Sequence, residues 1–248
     1  MKEHKRRGFL KSKNILLISA IITIIALFSF LNSPFFQVRK ISLSGHEILS
    51  DDLLMKYLNT YKEKNIIFLK NDTIVNRLKE QENYIKKAKV IKDYPNELEV
   101  MIDERKAIAS IINKGVYIVF DKEGIILENN IKKLKADVPV IKGIGYSFQG
   151  DKIEFNNILN KIVIELTNIE SALIQDINLI KYKKDENGQD ILEIEVLKNV
   201  QVHLGKLDNL AKKFDIMLAS LRRIKNEKMK VDYIDLRYAD RPVYKLKN

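Results

Sequence analysis

The spacing of apolar and polar positions divides the chain before any other property is considered. Between Lys13 and Arg39 there is no charged residue, and the densest apolar run, Ile15 to Leu31, predicts a helix that is hydrophobic all round. At 17 residues it lies near the lower end of the roughly 17–25 needed to cross a bilayer. Asn32 to Phe36 extend it into the interface, where Phe35 and Phe36 suit the headgroup boundary. Beyond Val38 the period changes. Val38, Ile41 and Leu43 alternate with polar residues and end at Gly45, a strand followed by a turn.

Ser50 stands where a helix N-cap belongs, with Asp51 and Asp52 in the first turn facing the positive end of the helix dipole. Leu53, Leu54, Tyr57 and Leu58 make the inward stripe of this helix. A short apolar connector, Asn65 to Asp72, leads to a second helix with Ile74, Val75 and Leu78 inward. The stretch "IKKAKVIKDYPNELEVMIDER" then predicts a hairpin. Ala88 and Val90 face the core on one arm, and Leu98, Val100 and Ile102 on the other. Glu99, Met101 and Asp103 point outward, and Tyr94-Pro95-Asn96 makes the turn. Strand, helix, helix, strand, strand packs most simply as a three-stranded sheet covered on one face by two helices.

From Arg105 onward the pattern is rich in short strands: "AIASIINKG", "VYIVFDKEGIILEN" with Lys122-Glu123-Gly124 as its turn, and "VPVIKGI". An amphipathic helix follows, with Phe155, Ile158, Leu159, Ile162, Leu166 and Ile169 at helical spacing. Three more strands, "INLIKYKK", "DILEIEV" and "VQVHL", come next, and Asn187-Gly188 is a strong hairpin signal. A second amphipathic helix carries Leu207, Leu210, Phe214, Met217, Leu221 and Ile224. The last segment, "VDYIDLRYADRPVYK", predicts two extended pieces around a polar kink. The residues at Asp103 to Lys106 form the expected hinge between the two external parts.

Charge sets the topology. The first 14 residues carry six Lys/Arg and one acid, whereas acids appear soon after Arg39 and Lys40, at Glu47, Asp51 and Asp52. The positive-inside rule therefore places the N-terminus in the cytoplasm and everything after Val38 outside. The basic run is read as this topology signal and not as a nucleic-acid arm. A cleavable signal peptide is the competing reading. The apolar run exceeds the ~7–15 residues of such peptides, and the best candidate site, Ser33, has Leu31 two residues before it. An uncleaved single-pass anchor is the expectation. The formal net charge of +11 is otherwise diffuse, and the absence of Cys removes disulfides, thiolate metal sites and Cys nucleophiles.

The order and spacing of these segments resemble the FtsQ/DivIB family of bacterial cell-division proteins. The residues that carry the resemblance are "FQVRKISLSG", "LSDDLL", "NIIFL", "RLKEQENYIKKAKVIKDYPNELEVMIDER" and "YIDLRY", behind a basic N-terminus and one anchor. Tyr84 stands where the family often has Trp or another large aromatic, and Ala107 where Pro is common. The resemblance implies an α+β protein. Its parts are a cytoplasmic tail (1–14), a transmembrane helix (15–36), an FtsQ-type POTRA domain of order β-α-α-β-β (37–104) and a mixed α/β domain with a mainly antiparallel sheet and C-terminal edge strands (105–248). It also implies a non-catalytic scaffold at the cell membrane and division septum, with FtsB/DivIC-like and FtsL-like partners and no nucleic acid or small-molecule substrate.

A strand at the end of a sheet offers unpaired N–H and C=O groups to another chain, and β-augmentation uses such an edge deliberately. The resemblance places partner binding at the C-terminal strands, so the expected contact residues are Leu236, Arg237, Tyr238, Ala239, Arg241 and Val243. Arg237 is expected to pair with a partner carboxylate and Tyr238 to supply an aromatic anchor. Pro242 cannot donate to a ladder, so pairing should weaken or change edge there. Val231 to Arg237 are expected to complete the sheet on one side and to offer the free edge on the other.

No catalytic pattern is found. His4, His46 and His203 lack ligand spacing, "MIDER" places Asp103 and Glu104 on opposite faces of a strand, and "GIG" at Gly143 to Gly145 is a turn. No cofactor and no metal site are expected. Two other functions remain open: a POTRA-bearing export component, disfavoured because no barrel domain follows, and a membrane-anchored wall enzyme, which requires a polar pocket with perturbed carboxylates.

Overall fold

The structure, a computed structural model, describes residues 2–134, 137–238 and 241–247, with side chains from residue 15 onward. Contacts divide it into two units, Met1–Glu104 and Arg105–Asn248. In the first, helix α1 (Lys2–Leu31) runs through the apolar segment, and from Ile15 to Phe30 its large apolar side chains are uncovered by protein. Water is a poor solvent for such a surface and lipid a good one. The α-helix stops at Leu31 and does not continue to Phe36. Pro34 lacks the N–H that the next turn requires, and Pro34–Phe36 form a single 3₁₀ turn.

The remainder of this unit has the expected order: β1 (Lys40–Ser44), α2 (Asp51–Leu58), α3 (Asn71–Gln81), β2 (Ile85–Asp93) and β3 (Glu97–Glu104). In the sheet β3 is central, parallel to β1 and antiparallel to β2. Ser50 caps α2 by accepting from the Leu53 N–H at 3.3 Å. Leu54, Leu58, Ile74 and Leu78 bury against Val90, Leu98, Val100 and Ile102. The Glu104 carboxylate accepts from the backbone N–H groups of Glu47, Ile48 and Leu49 at 2.8–2.9 Å. It therefore fixes the loop after Gly45, whose φ of +82° is one that a side chain would strain.

The second unit begins with β4 (Ala107–Asn113), β5 (Val116–Asp121), β6 (Ile126–Ile131) and β7 (Val140–Lys142). The hairpin β8 (Ser147–Gln149) and β9 (Lys152–Glu154) follows, then α4 (Asn157–Thr167) and α5 (Ser171–Ile174). The chain continues through β10 (Ile177–Lys184), β11 (Asp190–Val196), β12 (Val200–Lys206), α6 (Leu210–Glu227), β13 (Val231–Asp235) and β14 (Val243–Leu246). One large sheet runs in the order β14-β13-β12-β11-β10-β7-β4-β5-β6. It is mostly antiparallel; β7 lies parallel to both β4 and β10, and β13 parallel to β12. The β12–β13 step needs a crossover because parallel neighbours cannot be joined by a tight turn, and α6 supplies it.

On α6 the stripe Leu210, Phe214, Met217, Leu221 and Ile224 is buried together with Leu159, Ile162, Val163 and Leu166 of α4. Lys213 sits on this stripe at 2% exposure. Its ammonium donates to the Lys206 carbonyl at 2.7 Å and to Asp208 at 2.8 Å, so the buried charge closes the β12–α6 turn. Glu104 caps a loop of the first unit, while Arg105 donates to Asp121 and Glu123 of the second.

Candidate functional site: the C-terminal sheet edge

Strands β11 to β13 show clean alternation. Leu192, Ile194, Val202, Leu204, Ile234 and Leu236 point into the core, while Glu193, His203, Tyr233 and Asp235 line the opposite face. Leu236 is therefore fully buried, which corrects its expected role as a contact residue: a partner cannot reach its side chain without opening the core. The free edge also lies one strand further out than expected. Segment Val231–Asp235 is flanked on both sides, by β12 and by β14. The chain turns after Arg237, the Arg241 N–H donates to the Tyr238 carbonyl at 3.1 Å, and β14 returns antiparallel onto β13. Pro242 occupies the reversal.

Strand β14 is the exposed border of the sheet, and its polarity can be assigned residue by residue. The Lys247 N–H donates inward to the Lys230 carbonyl at 2.8 Å. In an antiparallel pair both backbone groups of a residue point the same way, and neighbours point oppositely. Lys245 and Val243 therefore also face β13, while the N–H and C=O of Tyr244 and Leu246 face away from it. The strand is secured independently by the Tyr244 hydroxyl, which bonds Ser220 of α6 at 2.7 Å. The opposite border, β6, is a poorer template. Its pairing with β5 shifts register twice, and Asn130 has a φ of +60°, irregularities that blunt an edge.

The side chains around β14 form a mixed surface. Tyr238 is 77% exposed, and Val243 and Leu246 are each more than half exposed. Arg241 is exposed in the turn. Ala239, the remaining expected contact, lies outside the described residues. Arg237 pairs within its own chain: Nε lies 3.0 Å from both Asp235 oxygens, and Nη2 lies 2.6 Å from Oδ2. Its stem crosses Gly205, where a Cβ would come within 2.9 Å of the Arg237 Cγ, so glycine at that register irregularity makes room for the arginine. Beside this pair is a groove of about 390 Å³, lined by Ile191, Glu193, His203, Tyr233, Asp235 and Arg237. His203 and Tyr233 meet edge-on at 5.5 Å, and the Lys245 ammonium sits 5.5 Å above the Tyr233 ring. Of the groove residues only Arg237 was among the expected contacts, although the two-residue period of β13 places Tyr233, Asp235 and Arg237 on one face.

The hydrogen bond from Arg237, against an opposing effect of burial, holds the Asp235 carboxyl below its ordinary value of 3.8. A depressed folded value means that the stabilisation is present above the unfolded value and disappears as pH falls through the folded one. Asp235→Asn is therefore expected to flatten the acid limb of stability below about pH 4, as read from unfolding midpoints across the acid range. An unchanged acid limb would contradict this assignment.

Among the described residues no cluster of three or more His, Asp or Glu side chains is placed to hold a metal ion. A family model described as POTRA domain, FtsQ-type, matches residues 36–105. Another, described as Cell division protein FtsQ/DivIB, C-terminal, matches residues 109–237. The chain is similar to the cell division protein DivIB of Clostridium acetobutylicum, with 29% identity over 223 residues, 87% of this chain and 85% of the relative. It is also similar to DivIB of Staphylococcus aureus strain MRSA252, at 26% identity, covering 82% of this chain and 44% of that one. A solved structure of the major extracytoplasmic domain of DivIB, trans isomer, from Geobacillus stearothermophilus aligns at 18% identity with a TM-score of 0.36, over 49% of this chain and 97% of that one.

Proposed function

Because this chain belongs to the FtsQ/DivIB family of bacterial cell-division proteins, we propose that it is a membrane-anchored scaffold of the division machinery that takes up a partner strand along β14. It is a division protein with an FtsQ-type POTRA domain and one apolar helix fit to anchor it. The reading adds the partner: an FtsB/DivIC-like chain, held with an FtsL-like one, whose external segment adds to the large sheet. It assigns the protein no chemistry of its own, with the basic N-terminus inside, the two domains outside and the molecule at the septum. Anchoring confines it to the plane shared with anchored partners and raises their effective concentration.

The observation that carries this reading is the open β14 border. Two residues there, Tyr244 and Leu246, turn their backbone groups outward, with the exposed Val243 next to them on the strand and the exposed Tyr238 in the turn that leads into it. Backbone groups supply affinity in such an addition, and a rigid aromatic such as Tyr238 supplies selectivity. Tyr238→Lys is the direct test. The side chain is largely solvent-exposed, so the substitution should leave folding intact yet cut co-purification of the anchored division partner by roughly tenfold or more. It should also fail to restore septation in cells depleted of the unaltered protein. Full partner recovery with normal septa would remove Tyr238 from the proposal.

A further inference from the structure

We propose that the segment Lys62–Lys70 of the first unit is a second membrane contact, in which Phe68 enters the headgroup region of an anionic bilayer beside the end of α1. The first support is covalent and hydrogen-bonded continuity with the anchor. Asn65 Nδ2 donates to the Leu31 carbonyl at 2.6 Å, the Ile66 N–H donates to the Phe36 carbonyl at 2.8 Å, and the Val38 N–H donates to the Lys64 carbonyl at 2.9 Å. Phe36 joins Phe30 and Phe35 in an aromatic cluster with centroids 5.1–6.2 Å apart, and it packs on the core of the unit. The segment is therefore fastened to the helix end and not hung from a flexible linker.

Depth follows from length. Ile15 to Leu31 rise about 25 Å at 1.5 Å per residue, several Å less than the roughly 30 Å hydrocarbon layer. A short span draws its flanking residues toward the bilayer. Phe68 lies three residues beyond Asn65, so its Cα is within about 11 Å of the Asn65 Cα. That distance is comparable with the width of the interfacial zone.

The second support is what the segment presents. From Lys62 to Lys70 the exposed side chains are Lys62, Glu63, Lys64, Phe68 and Lys70, whereas Asn65, Ile66, Ile67 and Leu69 are partly or fully turned in. Phe68 is 58% exposed, and its position is enforced. Lys92 of β2 donates to the carbonyls of Ile67 at 3.3 Å and Leu69 at 2.5 Å, on either side of it. A fixed aromatic in a stretch that carries the exposed Lys62, Lys64 and Lys70 has the composition of an interfacial anchor, with the ring in the headgroup layer and ammonium groups available to anionic lipid.

This inference rests on α1 crossing the bilayer, and a paired reporter separates the two ideas. The chain contains no Trp, so a single Trp introduced at one position is the sole indole emitter. Phe68→Trp and Leu27→Trp would be made separately in the full chain. Each would be reconstituted into phosphatidylcholine–phosphatidylglycerol vesicles with and without bromine near the top of the acyl chains. The expected result is quenching of the indole at position 68 within roughly twofold of that at position 27. Its emission should be blue-shifted, and the shift should weaken when Lys62 and Lys64 are changed to Glu. Quenching at position 27 with water-like, unquenched emission at position 68 overturns the membrane contact and leaves Phe68 for a protein partner. No quenching at either position means that α1 itself does not span, and the inference falls with its premise.

Discussion

Asp121→Ala is expected to cost the second unit about 3–5 kcal/mol, the range found when one partner of a buried ion pair is removed. Asp121 is 3% exposed at the end of β5, and its carboxylate has three tasks. Oδ1 accepts from the backbone N–H groups of Glu123 and Ile125, each at 2.9 Å, and Oδ2 accepts from Arg105 Nη1 at 2.6 Å. Alanine leaves two turn N–H groups without their acceptor and leaves Arg105, whose side chain is 17% exposed, with Glu123 alone at 2.8 Å. Burial disfavours the charged guanidinium, yet the hydrogen bonds and charges of Glu123 and Asp121 outweigh it and raise the Arg105 value.

The affected turn is also tightly constrained. Gly124 has a φ of +83°, and a Cβ there would collide with the Ile153 carbonyl oxygen, so the turn leaves little freedom for its backbone to rearrange. A unit of this size is stable by about 5–15 kcal/mol in total, so the loss takes a large share of it. The expected drop in unfolding midpoint is roughly 10 °C. Asp121→Asn keeps an acceptor for the two turn N–H groups but loses the ion pair and the acceptor facing Arg105, so it should cost less than alanine only by the share that the turn bonds carry. Equal penalties for the two variants would mean that the ion pair with Arg105, and not the turn, carries the stability.

The elements with a single unbroken period were legible in the sequence. α1 declares itself by the absence of charge, and α2, α3 and the hairpin β2–β3 by inward positions at spacings of three, four and two. Other features were hidden for physical reasons. Lys213 interrupts the apolar stripe of α6 and is nonetheless buried, because two oxygens that lie five and seven residues earlier fold back to meet it. The hairpin β8–β9 shows little alternation, since Ser147, Phe148 and Gln149 are all exposed. The insertion of β7 between β4 and β10 depends on non-local parallel pairing, which no local period encodes.

At the C-terminal edge the alternation itself held the answer for some residues. Ile234 and Leu236 share a face, so a buried Ile234 implies a buried Leu236, and Arg237 stands two residues from the carboxylate that occupies it. The return of β14 was not deducible from alternation in the same way. It depends on the turn after Arg237 and on the long-range bond from Tyr244 to Ser220.

That return sets up the sharpest test of strand addition, a pair of prolines one residue apart. Proline removes one N–H and fixes φ near values a strand tolerates, so its effect depends on which way the lost donor pointed. At Leu246 the donor points away from β13, and the side chain is 55% exposed, so Leu246→Pro removes a group that only an added strand would use. Its unfolding midpoint should stay within about 2 °C of the unaltered protein, because surface changes away from packed features seldom exceed ~0.5 kcal/mol. Partner affinity should fall roughly tenfold or more, since a ladder bond is lost and the ring obstructs close approach of a neighbouring strand. At Lys245 the donor points at its pairing partner Tyr233, so Lys245→Pro should detach β14. With it should go the Tyr244–Ser220 bond, so stability and affinity fall together. If Leu246→Pro binds the partner as well as the unaltered chain does, recognition at this edge runs through side chains such as Tyr238 and Val243, and the outward backbone of β14 plays no part in it.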